Sequence, residues 1–86
     1  MFTEVTFKVA AQKGNETCEG SNLILAPDQC KLACGILNIP LSEKEGAFLE
    51  GEPCYLGGTK FGKHKGMCSQ SGNNSDQARM VCANYI

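Results

Sequence analysis

Cys18, Cys30, Cys34, Cys54, Cys68 and Cys82 are the residues with the most chemistry to offer. An even number of cysteines in a short chain reads as three disulfides formed in an oxidising compartment. Metal binding is the alternative use. Zinc sites usually draw on closely spaced ligand pairs on both sides, and here only Cys30 and Cys34 are close, with His64 the sole histidine. The expectation is therefore disulfides, with neither metal nor cofactor. Pairing cannot be read from spacing alone, since six cysteines allow many combinations. Cys30 and Cys34 stand one turn apart if helical, and such side chains diverge poorly for a mutual bond, so each is expected to bond elsewhere.

The segment between Cys54 and Cys68 gathers Tyr55, Lys60, Phe61, Lys63, His64 and Lys65 around four glycines. One reading is an exposed contact surface: aromatic anchors beside positive charge, on a loop whose disulfide frame lowers the ordering cost of binding. The other is a hairpin tip made soluble by its lysines. Catalysis is not expected. His64 is read as an exposed loop histidine whose lysine neighbours give it no carboxylate orienter. Bonded cysteines supply no thiolate, and the acids Glu43, Glu45, Glu50 and Glu52 read as a solvated run. A lysine offered to a trypsin-like pocket, either Lys31 or one of Lys60 to Lys65, would make a serine-protease inhibitor, although the cysteine spacing matches neither the Kunitz nor the Kazal arrangement.

The 86 residues carry a net charge of −1. That length makes a single domain, residues 1–86, whose core is marginal without staples. Near-neutral charge and a lone arginine, Arg79, argue against a nucleic-acid partner. No stretch is long or apolar enough to span a membrane, and the C-terminal Ala83-Asn84-Tyr85-Ile86 offers no polybasic anchor. No signal peptide is present, so the sequence reads as the mature form of a secreted monomer. The sequons at Asn15 and Asn73 fit secretion and sit in polar, turn-like segments.

The elements that must position these groups are short. Val5, Phe7 and Val9 alternate with polar residues across Thr3 to Val9, the pattern of a half-buried strand. The Lys13-Gly14-Asn15 turn leads to a second strand that starts near Glu16, is interrupted by Gly20 and resumes from Asn22 to Leu25, and the two are expected to form an N-terminal hairpin. Pro27 to Gly35 reads as a short helix: proline in the first turn, Asp28 at the positive end, Gly35 at the stop. Leu41 to Gly51 reads as a surface loop with an apolar anchor at Ala47-Phe48-Leu49. Pro53 to Leu56, Met67 to Ser69 and Arg79 to Ala83 read as further strands. The expected fold is small, disulfide-rich and β-rich, with an N-terminal β-hairpin and at most one short helix.

The run Leu25-Ala26-Pro27-Asp28-Gln29-Cys30-Lys31-Leu32-Ala33-Cys34, then Gly51-Glu52-Pro53-Cys54-Tyr55, Gly66-Met67-Cys68 and a last Cys82, resembles the small cysteine-rich proteins of tick saliva, in particular the basic-tail group. The likeness spans roughly residues 18 to 82. The chain departs from that group in lacking the lysine-rich tail, in its longer Cys68-to-Cys82 interval and in its longer N-terminal strand. The resemblance implies a secreted, non-enzymatic inhibitor that binds a host plasma protein of complement or coagulation. Without the tail that serves anticoagulants on charged surfaces, complement is the expected target, so immune evasion in a host–parasite interaction is the implied role. An anticoagulant or serine-protease inhibitor is the first alternative, and a structural extracellular cysteine-rich module the second.

Overall fold

The computed structural model describes residues 4–10, 18, 22–58, 64–70 and 78–85. Its elements are β1 (Val5–Val9), β2 (Asn22–Leu23), α1 (Pro27–Ile36), β3 (Tyr55–Leu56), β4 (Cys68–Ser69) and β5 (Arg79–Tyr85). Together they make the small, disulfide-stapled, β-rich fold with one short helix that the sequence suggests.

β5 organises the sheet. It is the strand richest in buried side chains, with Met80, Val81, Cys82 and Ala83 all enclosed. Cys82 and Ala83 pair with Lys8 and Phe7 of β1 and also with Leu23 and Asn22 of β2. A strand has two edges, so β1 and β2 lie on opposite sides of β5. β3 continues along the β2 side, with Tyr55 opposite Met80 and Leu56 opposite Arg79. β4 pairs antiparallel with β3. The expected N-terminal hairpin thus takes a different form: the described parts of both N-terminal strands are joined through β5 rather than to each other. Burial decides this, because a strand buried along most of its length draws partners to both edges. The turn residues Lys13 to Asn15 lie outside the described residues.

α1 begins with Pro27 in its first turn after Ala26, which has extended backbone and contributes no side-chain cap. Its C-terminus differs from expectation. Gly35 lies inside the helix, and the stop comes three residues later at Asn38, whose φ of 61° is left-handed. Asn38 N–H donates to the Gly35 carbonyl at 3.2 Å, and Ile39 N–H to the Cys34 carbonyl at 2.8 Å. This is the Schellman closure, with asparagine in the place glycine usually takes. The inner face of α1 buries Cys30, Ala33 and Cys34.

The three disulfides are Cys18–Cys82, Cys30–Cys54 and Cys34–Cys68, so the two helix cysteines do bond to different partners. Two bridges tie α1 to β3 and β4. Around them pack Ile24, Ala33, Val81 and Ala83, flanked by Phe7, Val9, Leu37, Ile39, Phe48 and Leu56. A second, smaller cluster surrounds Cys18–Cys82 with Ala10, Met80 and Tyr55. The loops closed by the bridges imply roughly 3–4 kcal/mol of stabilisation each. That is large beside what so thin a core supplies. No helix among the described residues is long and apolar enough to cross a membrane.

Candidate functional site

The chain from β3 to β4 was the sequence-based candidate for a contact surface. Close backbone approach builds its base. Gly57 N–H donates to the Met67 carbonyl at 2.8 Å, and Gly66 N–H to the Gly58 carbonyl at 2.8 Å. A turn over residues 64–67 closes by Met67 N–H to the His64 carbonyl at 3.0 Å, with Gly66 at φ 69°. Gly57 leaves no room for a side chain. A Cβ there would overlap the His64 carbonyl, with the carbonyl carbon only 2.8 Å away. Only glycine lets the two backbones come this close.

His64 overturns one expectation. It is not an exposed loop histidine but 2% exposed, with Nδ1 2.6 Å from the Ser42 hydroxyl oxygen. Ser42 is itself buried, and its Oγ accepts the Lys44 N–H at 3.3 Å. The Ser42 N–H donates to the Cys68 carbonyl at 3.0 Å. Both side chains of this serine–histidine pair are buried. Its effect is to clasp the turn at residues 64–67 onto the segment after α1. His64 therefore leaves the set of residues that could meet a partner.

The other predicted residues separate. Tyr55 is half-buried in β3 and packs on the second core cluster. Lys65 is exposed beside the buried His64. Lys60, Phe61 and Lys63 lie outside the described residues, as do the sequons at Asn15 and Asn73. Lys31 is a poor fit to a protease pocket. It sits within α1, whereas a cleft that pairs with an inhibitor strand needs extended backbone, and its ammonium lies 5.0 Å from the centre of the Phe48 ring, within cation–π range.

Two further features emerge only in the folded chain. Gln70 is wholly buried, and its Nε2 donates to the Leu25 and Glu52 carbonyls, each at 2.8 Å. It thereby locks the lead into α1 to the segment before Cys54. The second feature is the outer face of α1. Leu32 and Ile36, one turn apart, are 57% and 58% exposed, while the opposite face is fixed by two disulfides. The result is an apolar ridge on an immobilised helix. The spacing of Leu32 and Ile36 was visible beforehand, but their direction depends on which face the cysteines occupy.

Comparison of the chain with protein-family models, with curated proteins and with solved structures finds no match to any of them.

Proposed function

We propose that this protein is a secreted, non-enzymatic inhibitor that acts by binding a plasma defence protein of a host, with a complement component as its first target. One observation carries the binding reading: α1 presents Leu32 and Ile36 to solvent while Cys30–Cys54 and Cys34–Cys68 hold its other face rigid. An apolar ridge that is already ordered loses little conformational freedom on docking. The choice of complement rests on the resemblance of the Leu25-to-Cys34 and Gly51-to-Tyr55 runs to tick salivary proteins.

A second contact region is favoured by charge. Lys65 is exposed at the base of the lysine-bearing segment that also includes Lys60 and Lys63. In this reading Leu32 and Ile36 anchor the complex, and the lysines steer encounter and set its salt dependence.

The test is capture from mammalian plasma on the oxidised, immobilised protein, read by mass spectrometry, with reduced and alkylated protein as control. The expected result is one complement component held only by the oxidised form and lost from an L32E/I36E variant. Retention of the same component by that variant removes the helix ridge from the proposal. Unchanged binding after charge reversal at Lys60, Lys63 and Lys65 removes the basic segment. Stoichiometric inhibition of a trypsin-like protease with no complement capture replaces the proposal by the protease-inhibitor reading.

A further inference from the structure

The two bridges on α1 lie side by side, and their four sulfurs form one compact group. The Sγ atoms of Cys30, Cys34, Cys54 and Cys68 all lie within 4.8 Å of one another, and all four residues are buried. Between the bridges, Cys30 and Cys68 sulfurs are 3.5 Å apart, Cys54 and Cys68 3.7 Å, and Cys34 and Cys54 3.9 Å. A zinc ion bound by four thiolates at about 2.3 Å sets the edges of its sulfur tetrahedron at about 3.8 Å. Three of the six edges are thus already near that length in the oxidised protein.

We infer that the reduced chain uses these four cysteines as a tetrahedral site for a soft divalent cation of the zinc class. Sequence spacing argued against this, because Cys54 and Cys68 have no close cysteine neighbour along the chain. The fold supplies the missing proximity. α1 offers Cys30 and Cys34 on one face, Cys54 leads into β3, and Cys68 opens β4, opposite Leu56.

The backbone of each ligand is anchored by bonds that do not involve sulfur. Cys30 N–H donates to the Ala26 carbonyl at 3.0 Å, Cys54 N–H to the Ile24 carbonyl at 3.0 Å and Cys68 N–H to the Pro40 carbonyl at 2.8 Å. The Cys34 carbonyl accepts the Ile39 N–H that closes the helix, at 2.8 Å. Cys18 and Cys82 are not members of the group.

The chemistry balances with a dithiol reductant. Each protein disulfide takes two electrons and two protons from one dithiol, which closes to its own disulfide, leaving two thiols. The cation then replaces one proton on each of the four thiols, and these protons pass to solvent. The site is sealed from water, so the ion is taken up as the reduced chain folds around it rather than by entry into a finished cavity. Metal and disulfides become alternative staples for the same core, one in reducing and one in oxidising surroundings. This inference is independent of the proposed target.

The test uses the full reduced chain, kept anaerobic with a phosphine reductant, titrated with Co²⁺ and then Zn²⁺. The expected result is saturation at one equivalent, with the visible bands and thiolate charge-transfer band of tetrahedral cobalt. Zinc should abolish both, and the helical circular dichroism lost on reduction should return with metal. C18S/C82S should keep the stoichiometry and spectrum, while C34S and C54S should lose charge-transfer intensity and the tetrahedral bands. Binding without a defined stoichiometry, no recovery of helix, or equal loss in C18S/C82S and C34S would each overturn the site.

Discussion

The helix-and-bridge centre and the turn that bears His64 are neighbours held together by different means. Around α1, fixation is covalent and apolar: two disulfides, with Ile24, Ala33 and Val81 packed against them. The turn over residues 64–67 lies between Cys54 and Cys68 but is placed by backbone approach at Gly57 and by the buried Ser42–His64 contact. The first arrangement depends on bonds that a reductant breaks. The second is indifferent to a reductant in its own contacts but tolerates almost no added volume. A binding surface spread over both regions would inherit two separate vulnerabilities.

The largest effect that separates them is loss of a central bridge. C34A/C68A should destabilise the oxidised protein by about 4 kcal/mol or more, since the loop constraint goes and fully buried sulfur is replaced by smaller groups. C18A/C82A removes the bridge that closes the longer interval, 64 residues against 34, and chain entropy alone would rank its loss slightly higher. The prediction is the reverse order, because Cys34 and Cys68 lie in the larger core cluster. Urea midpoints of the two double variants decide it. A greater loss from C18A/C82A would mean that the helix centre is not where this molecule keeps its stability.

Next comes Gly57→Ala. The added methyl meets main chain, which cannot rotate away, so a loss of about 3 kcal/mol is expected. All three disulfides should still form. Urea denaturation with disulfide mapping distinguishes this from misfolding. A near-neutral G57A would show that the turn over residues 64–67 is not seated as described.

His64→Ala should cost about 2 kcal/mol, and Ser42→Ala somewhat less, because each removes the bond that joins the two buried side chains. The double variant should cost clearly less than the sum of the two, the sign of a direct interaction. Additive losses would assign His64 a packing role separate from Ser42.

The helix region was largely legible in the sequence. Pro27 and Asp28 mark the start of α1 locally, and the poor geometry for a mutual bond between Cys30 and Cys34 points each to a separate partner. The strands β3, β4 and β5 were also visible as short apolar runs. Strand pairing was less so, since both N-terminal strands choose β5, and that choice depends on burial established by distant residues. His64 was the clearest failure. Its lysine neighbours suggest solvent, but it is buried and bonded to Ser42, 22 residues away. Gln70 was hidden for the same reason: a buried amide reaching two carbonyls from separate segments leaves no periodic trace.

The smallest predicted effect reverses the sign of the others and isolates the helix from its bridges. Gly35 lies inside α1, exposed, and beyond its chain neighbours and the helix's own backbone nothing comes within 4 Å of where a Cβ would stand. Its place at the end of the Pro27-to-Gly35 run suggests the stop, where a side chain would be penalised. Because Asn38 performs that task instead, Gly35→Ala should stabilise the protein by about 0.5–1 kcal/mol through helix propensity alone. Asn38→Gly provides the matching control, since glycine accepts the left-handed backbone freely. It should be neutral or mildly stabilising. Destabilisation by G35A, measured by urea midpoint at constant disulfide content, would return the stop to Gly35 and withdraw the Asn38 closure. Stabilisation would show that the helix gains from its own backbone even where two disulfides already hold it, so the covalent frame has not saturated local order.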